Sequence, residues 1–392
     1  MLLVELAAIL LVAKTAGHLA NRVGQPPVLG QLVAGLLMGV ALSAFPVLAA
    51  PDEAQLTVLS GFGVDLLMFV AGLETDWDQL QATGRGAFTS ATLGVVVPLV
   101  GGYAVAVAFG FPWLEGLFVG VTLTATSVSI TAQTLLELGS LQTVAGSTIL
   151  GAAVVDDVIG LIVFSVAIAV TGAQTTSLLV FALSILAFFG VSVMIGPRIV
   201  HWTLARAEQL HGAEPVLAVA LALAFIFGFA AQNAGLAAIT GAYIAGLLIN
   251  QHGEYPELTE KVKVVAYGFF VPIFLVKSGM DARLNDLGPV VGLVVAVSLV
   301  AIVSKIIGCG LGARLAGMPI RESLVVGVGM IARGEVGLVV ASLALQAGII
   351  PPLVFSASVV VVLITVLVTP PLLRLAIPAT VPIEAEVMSE LG

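Results

Sequence analysis

Two aspartates stand side by side in an apolar run, Gly151-Ala-Ala-Val-Val-Asp-Asp-Val-Ile-Gly160. Carboxylates are hard oxygen ligands, and they take either a proton or an alkali cation such as Na⁺ or Li⁺ stripped of part of its water. Neighbouring residues on a helix point about 100° apart, so Asp156 and Asp157 face different neighbours. Lys305, within Val303-Ser304-Lys305-Ile306-Ile307, is the natural counter-ion. A buried amine sheds its proton readily, and a carboxylate beside it holds the proton on. A cation arriving at the second carboxylate can switch such a pair, and a group that must choose between H⁺ and a metal ion already has the chemistry of exchange. The plainer reading is a folding salt-bridge cluster. It explains less, because two acids for one base leave a charge over and a buried ion pair is weak evidence for stability.

These groups sit in a chain that no water-soluble fold could use. Of 392 residues, 59% are hydrophobic and 9% charged, against roughly 25% charged in an average soluble domain. The mean hydropathy is +1.17. Runs such as Val95–Phe109 lack the alternation of a membrane β-barrel strand. The composition implies an all-α integral membrane protein, its 43 glycines suiting helices packed backbone to backbone. A charge at the centre of a bilayer costs roughly 2.5–3.5 kcal/mol, so Asp156, Asp157 and Lys305 need a functional reason to be there.

About 20 apolar residues cross a bilayer. Polar, Pro and Gly clusters divide the chain into thirteen candidate spans, near 2–20, 27–45, 55–73, 87–109, 114–136, 143–171, 177–197, 214–232, 234–250, 260–276, 288–313, 322–347 and 352–373. The least certain division is that of 214–250 at Gln232-Asn233-Ala234-Gly235. Loop charge supports it. With the division, Arg22, Arg85, Arg198, Arg206, Lys261, Lys263, Arg314, Arg321 and Arg374 share one side and Lys277 and Arg283 the other, nine against two. Without it the bias falls to six against five. Positive loops stay in the cytoplasm, which puts the N-terminus outside and the C-terminus inside.

A shift of 207 residues lays Glu115-Gly-Leu-Phe-Val-Gly-Val121 over Glu322-Ser-Leu-Val-Val-Gly-Val328, and Gly72-Leu73-Glu74 over Gly279-Met280-Asp281. The matched spans are an odd number apart, so the copies cross in opposite directions. An inverted repeat places the transport site at the midplane, on discontinuous helices in matching positions. The fifth and twelfth spans fit. The fifth carries Thr122, Thr124, Thr126, Ser127, Ser129 and Thr131; the twelfth carries Gly327, Gly329, Gly334 and Gly337 around Arg333 and Glu335. Both can unwind, with hydroxyls and a charged pair satisfying the freed backbone. Arg333 and Glu335 balance each other and suit the exposed ends of half-helices better than a transported ion. The alternative is a pair of ordinary helices whose hydroxyls bond back to their own carbonyls.

Other polar groups carry less. Glu5, Lys14 and His18 in the first span read as structural, and Asp65 has no evident role. Cys309 reads as a small buried thiol. His201, His211 and His252 are expected in loops without metal-ligand spacing. No basic stripe suits nucleic acid, no phosphate-cradling loop suits ATP, and no cofactor is implied beyond transported Na⁺ and H⁺. The apolar N-terminus lacks the basic start and cleavage site of a signal peptide and reads as a first span.

Together Gly151–Gly160, Lys305, Met330-Ile-Ala-Arg-Gly-Glu-Val-Gly337, Leu73-Glu74-Thr75 and Ala125-Thr126-Ser127-Val128 resemble the bacterial monovalent cation:proton antiporter-2 family, in particular sodium/proton antiporters of the NapA type. The resemblance implies a homodimer in which a core domain moves against a dimerisation domain. The dimerisation helices would lie in 1–73 and 214–276, the core in 87–171 and 288–376, a linker helix in 177–204 and a short cytoplasmic tail in 377–392. It implies Asp157 as principal cation and proton site, Asp156 as the partner of Lys305, and Thr126 and Ser127 at the crossover of two broken helices. Electrogenic exchange of Na⁺ (or Li⁺) for H⁺ across the cytoplasmic membrane follows. Related K⁺/H⁺ exchangers usually place Gln where Asp156 stands and append a soluble domain, so both features lean towards sodium. The other readings are a cation channel and a sodium-coupled organic-anion symporter.

Overall fold

The computed structural model describes residues 2–44, 53–75, 84–127, 131–132, 134–135, 138, 140, 143–170, 178–234, 236–251, 255–282, 288 and 291–377. Among these every regular element is a helix. The first group is α1 (Leu2–Arg22), α2 (Pro27–Ala44) and α3 (Glu53–Glu74), followed by α4 (Arg85–Ala108), α5 (Trp113–Thr124) and α6 (Val144–Val170). A middle stretch, α7 (Leu178–Met194) and α8 (Gly196–Ala207), leads to α9 (Pro215–Asn233), α10 (Ala238–Asn250) and α11 (Pro256–Val265). A π-helical segment, Ala266–Phe270, joins α11 to α12 (Val271–Asp281). The chain finishes with α13 (Val291–Leu315), α14 (Ile320–Gly329), α15 (Glu335–Gln346) and α16 (Pro352–Ala376).

By length and composition, eight helical runs among the described residues can cross a membrane, including Glu257–Asp281 through the π segment. Four shorter apolar helices, Pro27–Leu42, Trp113–Thr124, Ala238–Asn250 and Val336–Gln346, lie among them. The division of 214–250 is real: α9 stops at Asn233 and α10 starts at Ala238. The seventh region departs from expectation. The helix expected to link the repeats is two helices, bent by 50° between Met194 and Gly196. Pro197, second in α8, has no N–H to continue the ladder of α7, which forces the bend. His201 therefore lies on α8 rather than in a loop.

The packing repeats as the sequence does. Helix α2 packs on α12, and α3 on α10, which exchanges the partners between the two halves. Likewise α1–α2 matches α9–α10, α4–α5 matches α13–α14, α5–α6 matches α14–α16, and α4 packs on its own counterpart α13. Glycines make these seams close. A Cβ at Gly246 would collide with the carbonyl of Phe69, and one at Gly35 with that of Val276. Phe69 and Val276 are 207 residues apart. A Cβ at Gly120 would strike Leu99 O and one at Gly327 would strike Ile306 O, and here both positions of the contact match at the shift of 207. Small residues let backbones touch where lipid offers no hydrophobic drive for association.

The lysine of α1 also finds a reason. Lys14 Nζ donates to Tyr267 O at 2.8 Å, within the π segment. A π turn leaves carbonyls that the regular ladder would have used, and the amine takes one of them.

Candidate functional site

The site is assembled from α4, α6 and α13 around one ion pair. Lys305 Nζ donates to Asp156 Oδ1 at 3.0 Å and to Oδ2 at 3.3 Å, and neither side chain has any exposure. Gly94 of α4 makes room for it. A Cβ there would run into Cys309 Sγ and lie 3.6 Å from Lys305 Nζ and 3.9 Å from Asp156 Oδ1. Cys309 is the buried thiol expected, and its surroundings include the charges of Lys305, Asp156 and Arg333. Ala152 and Ala153 are fully buried against this cluster, so α6 approaches closely enough for its carboxylate to reach α13.

Asp157, one residue on, points elsewhere. It keeps partial exposure although its Oδ1 is buried, and its charge acts on Tyr243 of α10. Tyr243 in turn shares a hydrogen bond of 3.0 Å with Thr75 Oγ1. The adjacent acids thus face different partners, as helix geometry requires.

Both broken helices are present. Helix α5 stops at Thr124, and Ala125 is extended at φ −57°, ψ 143°. Thr122 and Thr124 do bond back to their own helix, to Phe118 O and Val121 O at 2.8 Å each, without carrying it further. In the counterpart, α14 stops at Gly329 and α15 restarts at Glu335. The two breaks cross and bond to each other. Ser127 N–H donates to Ala332 O at 2.8 Å, and Thr131 Oγ1 to Gly329 O at 2.7 Å. Thr126 is buried at the same crossing, with no hydrogen-bond partner for its Oγ1 among the described residues.

Arg333 occupies the second break, fully buried. Its guanidinium donates to Ile331 O at 2.6 Å, to Met330 O at 3.4 Å and, across to α13, to Ala301 O at 3.0 Å. The carbonyls of Met330 and Ile331 extend the negative end of α14, where a cation is worth most. Its own N–H is received by Thr365 Oγ1 at 3.2 Å. Residue spacing hinted at the arginine's task; nothing in the sequence announced Thr365 or Ala301 as its neighbours, or Gly94 as the gap beside the ion pair. Glu335 begins α15, but its side chain lies outside the described residues, as do Ser129 and His252. Asp65 lies half-buried on α3. Among the described residues no His, Cys, Asp and Glu group has metal-binding geometry.

Two hydroxyl pairs join helices far apart in sequence. Ser165 of α6 meets Thr240 of α10 at 3.5 Å, and Ser278 of α12 meets Ser342 of α15 at 3.3 Å. Close by, Lys277 pairs with Asp281, one turn along α12.

With this geometry established, three kinds of likeness bear on it. The family described as "Sodium/hydrogen exchanger, transmembrane" matches residues 7–375. The chain is 38% identical over 374 residues to the Na(+)/H(+)-K(+) antiporter GerN of Bacillus cereus, covering 94% of this chain and 95% of the relative. It is 34% identical to the high-affinity Na(+)/H(+) antiporter NhaS3 of Synechocystis, covering 95% and 89%. Its fold is similar to that of the sodium proton antiporter MjNhaP1 of Methanocaldococcus jannaschii, with a TM-score of 0.74, 15% identity, and 97% and 98% of the two chains covered.

Proposed function

This chain belongs to the sodium/hydrogen exchanger family, and from that premise we propose that Asp157, Asp156 and Lys305 are where Na⁺ and H⁺ exchange. The family consists of secondary transporters, so the site has ions to hold and release and no covalent chemistry to perform. The observation that carries the reading is the solvent-free pair of Lys305 and Asp156 beside a second carboxylate on the same helix.

A sodium ion reaching Asp157 takes carboxylate oxygens that protons otherwise hold. As it draws on Asp156 as well, the ammonium of Lys305 loses its counter-charge and gives up a proton. An empty, doubly charged site is costly to carry past an apolar barrier, so the loaded or protonated forms are the ones that move. In this reading α4–α6 and α13–α16 form the moving core, and α1–α3 with α9–α12 form the dimerisation side of a homodimer. Thr126 and Ser127 line the crossover, and Arg333 holds the second break together.

The positive bias of the loops supports an external N-terminus and a cytoplasmic C-terminus in the cell membrane. With spans alternating in direction, the Ser165–Thr240 and Ser278–Ser342 contacts both fall towards the outer ends of their helices. The test is a pH-sensitive dye trapped in proteoliposomes and challenged with Na⁺, Li⁺ and K⁺ in turn. Sodium or lithium should drive proton movement. Potassium earns an arm of its own, since one relative carries K⁺ in its name. Cation flux without proton movement would indicate a channel and end this reading.

A further inference from the structure

Helix α8 is the most amphipathic of the described helices, and the ion site makes no use of it. Gly196, Val200, Leu204 and Ala207 are buried, and a Cβ at Gly196 would press on Leu248 of α10. The opposite face repeats every fourth residue as Arg198, Trp202 and Arg206, all exposed. Arg206 lies over the Trp202 ring at 5.1 Å, and Arg198 Nη1 donates to Met194 O at 2.9 Å. Trp202 is 59% exposed, Ile195 48% and Ile199 44%. The bend of 50° from α7 turns this helix away from the direction of the span before it.

Bulk water would not favour presenting an indole and two isoleucines, and hydrocarbon would not tolerate two guanidiniums. The layer of lipid headgroups accommodates both at once. The charge is one-sided: Gly196–Ala207 holds two arginines and no acid. Glu208, next in sequence, instead lines a cavity with Glu214 and Lys261. We propose that the Arg198–Trp202–Arg206 stripe of α8 binds the headgroups of anionic phospholipids at the membrane surface. Because α8 packs on α9 and α10, this anchors that helix group to the leaflet. The inference needs the chain to be in a membrane, but it holds whichever ion is exchanged.

The test uses Trp202 as reporter in the full chain, with Trp77→Phe and Trp113→Phe removing the other two indoles. The protein is reconstituted into phosphatidylcholine vesicles in which about a tenth of the lipid is brominated, as phosphatidylglycerol or as phosphatidylcholine. A surface arginine enriches anionic lipid about fivefold at low salt. Brominated phosphatidylglycerol should therefore quench Trp202 several times more strongly, and the preference should fade as salt is added. Arg198→Gln with Arg206→Gln should level the two lipids, while Arg198→Lys with Arg206→Lys should keep the preference. Equal quenching by both lipids in the parent protein overturns the proposal. So does an absence of quenching by either, which would mean that protein, such as a second copy of the chain, covers the stripe.

Discussion

Lys305 reaches both oxygens of Asp156, at 3.0 and 3.3 Å, and water reaches neither side chain. Two charges so placed are a liability unless each answers the other, because breaking a buried pair costs about 3–5 kcal/mol. Lys305→Gln should therefore lower the melting temperature of the purified protein markedly, and Asp156→Asn in the same chain should restore part of the loss. Thermal unfolding in detergent, followed for the single and double variants, decides it. A Lys305→Gln protein as stable as the parent would show that the pair contributes nothing to the fold.

Asp157 should behave differently from its neighbour. Asp157→Asn should leave stability nearly unchanged yet abolish Na⁺-driven pH change in proteoliposomes. Exchange of parental size in that variant would remove Asp157 from the ion site.

The paired glycines give a third prediction. Gly120→Ala and Gly327→Ala each drive a methyl into a carbonyl, of Leu99 and of Ile306, and overpacking of this kind costs about 1–3 kcal/mol. Since the two contacts are repeats of one another, the losses should be alike. Gly61→Ala in α3 meets open space and should be neutral, or stabilising by up to about 1 kcal/mol. Melting curves that rank Gly61→Ala with the other two would contradict the close-approach account.

The bridge between Ser278 and Ser342 gives a fourth. Either serine to alanine should cost about 1 kcal/mol of the packing between α12 and α15, and both together should cost no more than one alone. Hydrogen exchange of α15 in the single and double variants measures this. Additive losses would mean that the hydroxyls do not act on one another.

Much of this was legible before any coordinates, for definite physical reasons. Asp156 and Lys305 stand out because charge is expensive in lipid, and the break between Gly329 and Glu335 because glycines and charges interrupt an apolar run there. The bend at Gly196-Pro197 could have been read from the proline, but it was hidden inside a continuous apolar stretch. Other features depend on distance in space alone. No pattern within α1 says that Lys14 will meet a π-helical carbonyl at Tyr267, and none in α4 says that Gly94 clears space for an ion pair between α6 and α13. The bond between Ser127 and Ala332 was likewise invisible until the two breaks were seen to cross.

The shift that superposes the halves brings Arg333 onto Thr126. At one of these positions a guanidinium ties down the loose carbonyls, while at the other stands a buried hydroxyl whose oxygen meets no partner among the described residues. The backbone is thus mirrored while the wiring is lopsided: one break is sealed with its own charged plug, and on the proposed reading its twin is the socket. A guest that comes and goes needs that inequality, because two plugs would admit nothing and two sockets would hold no shape.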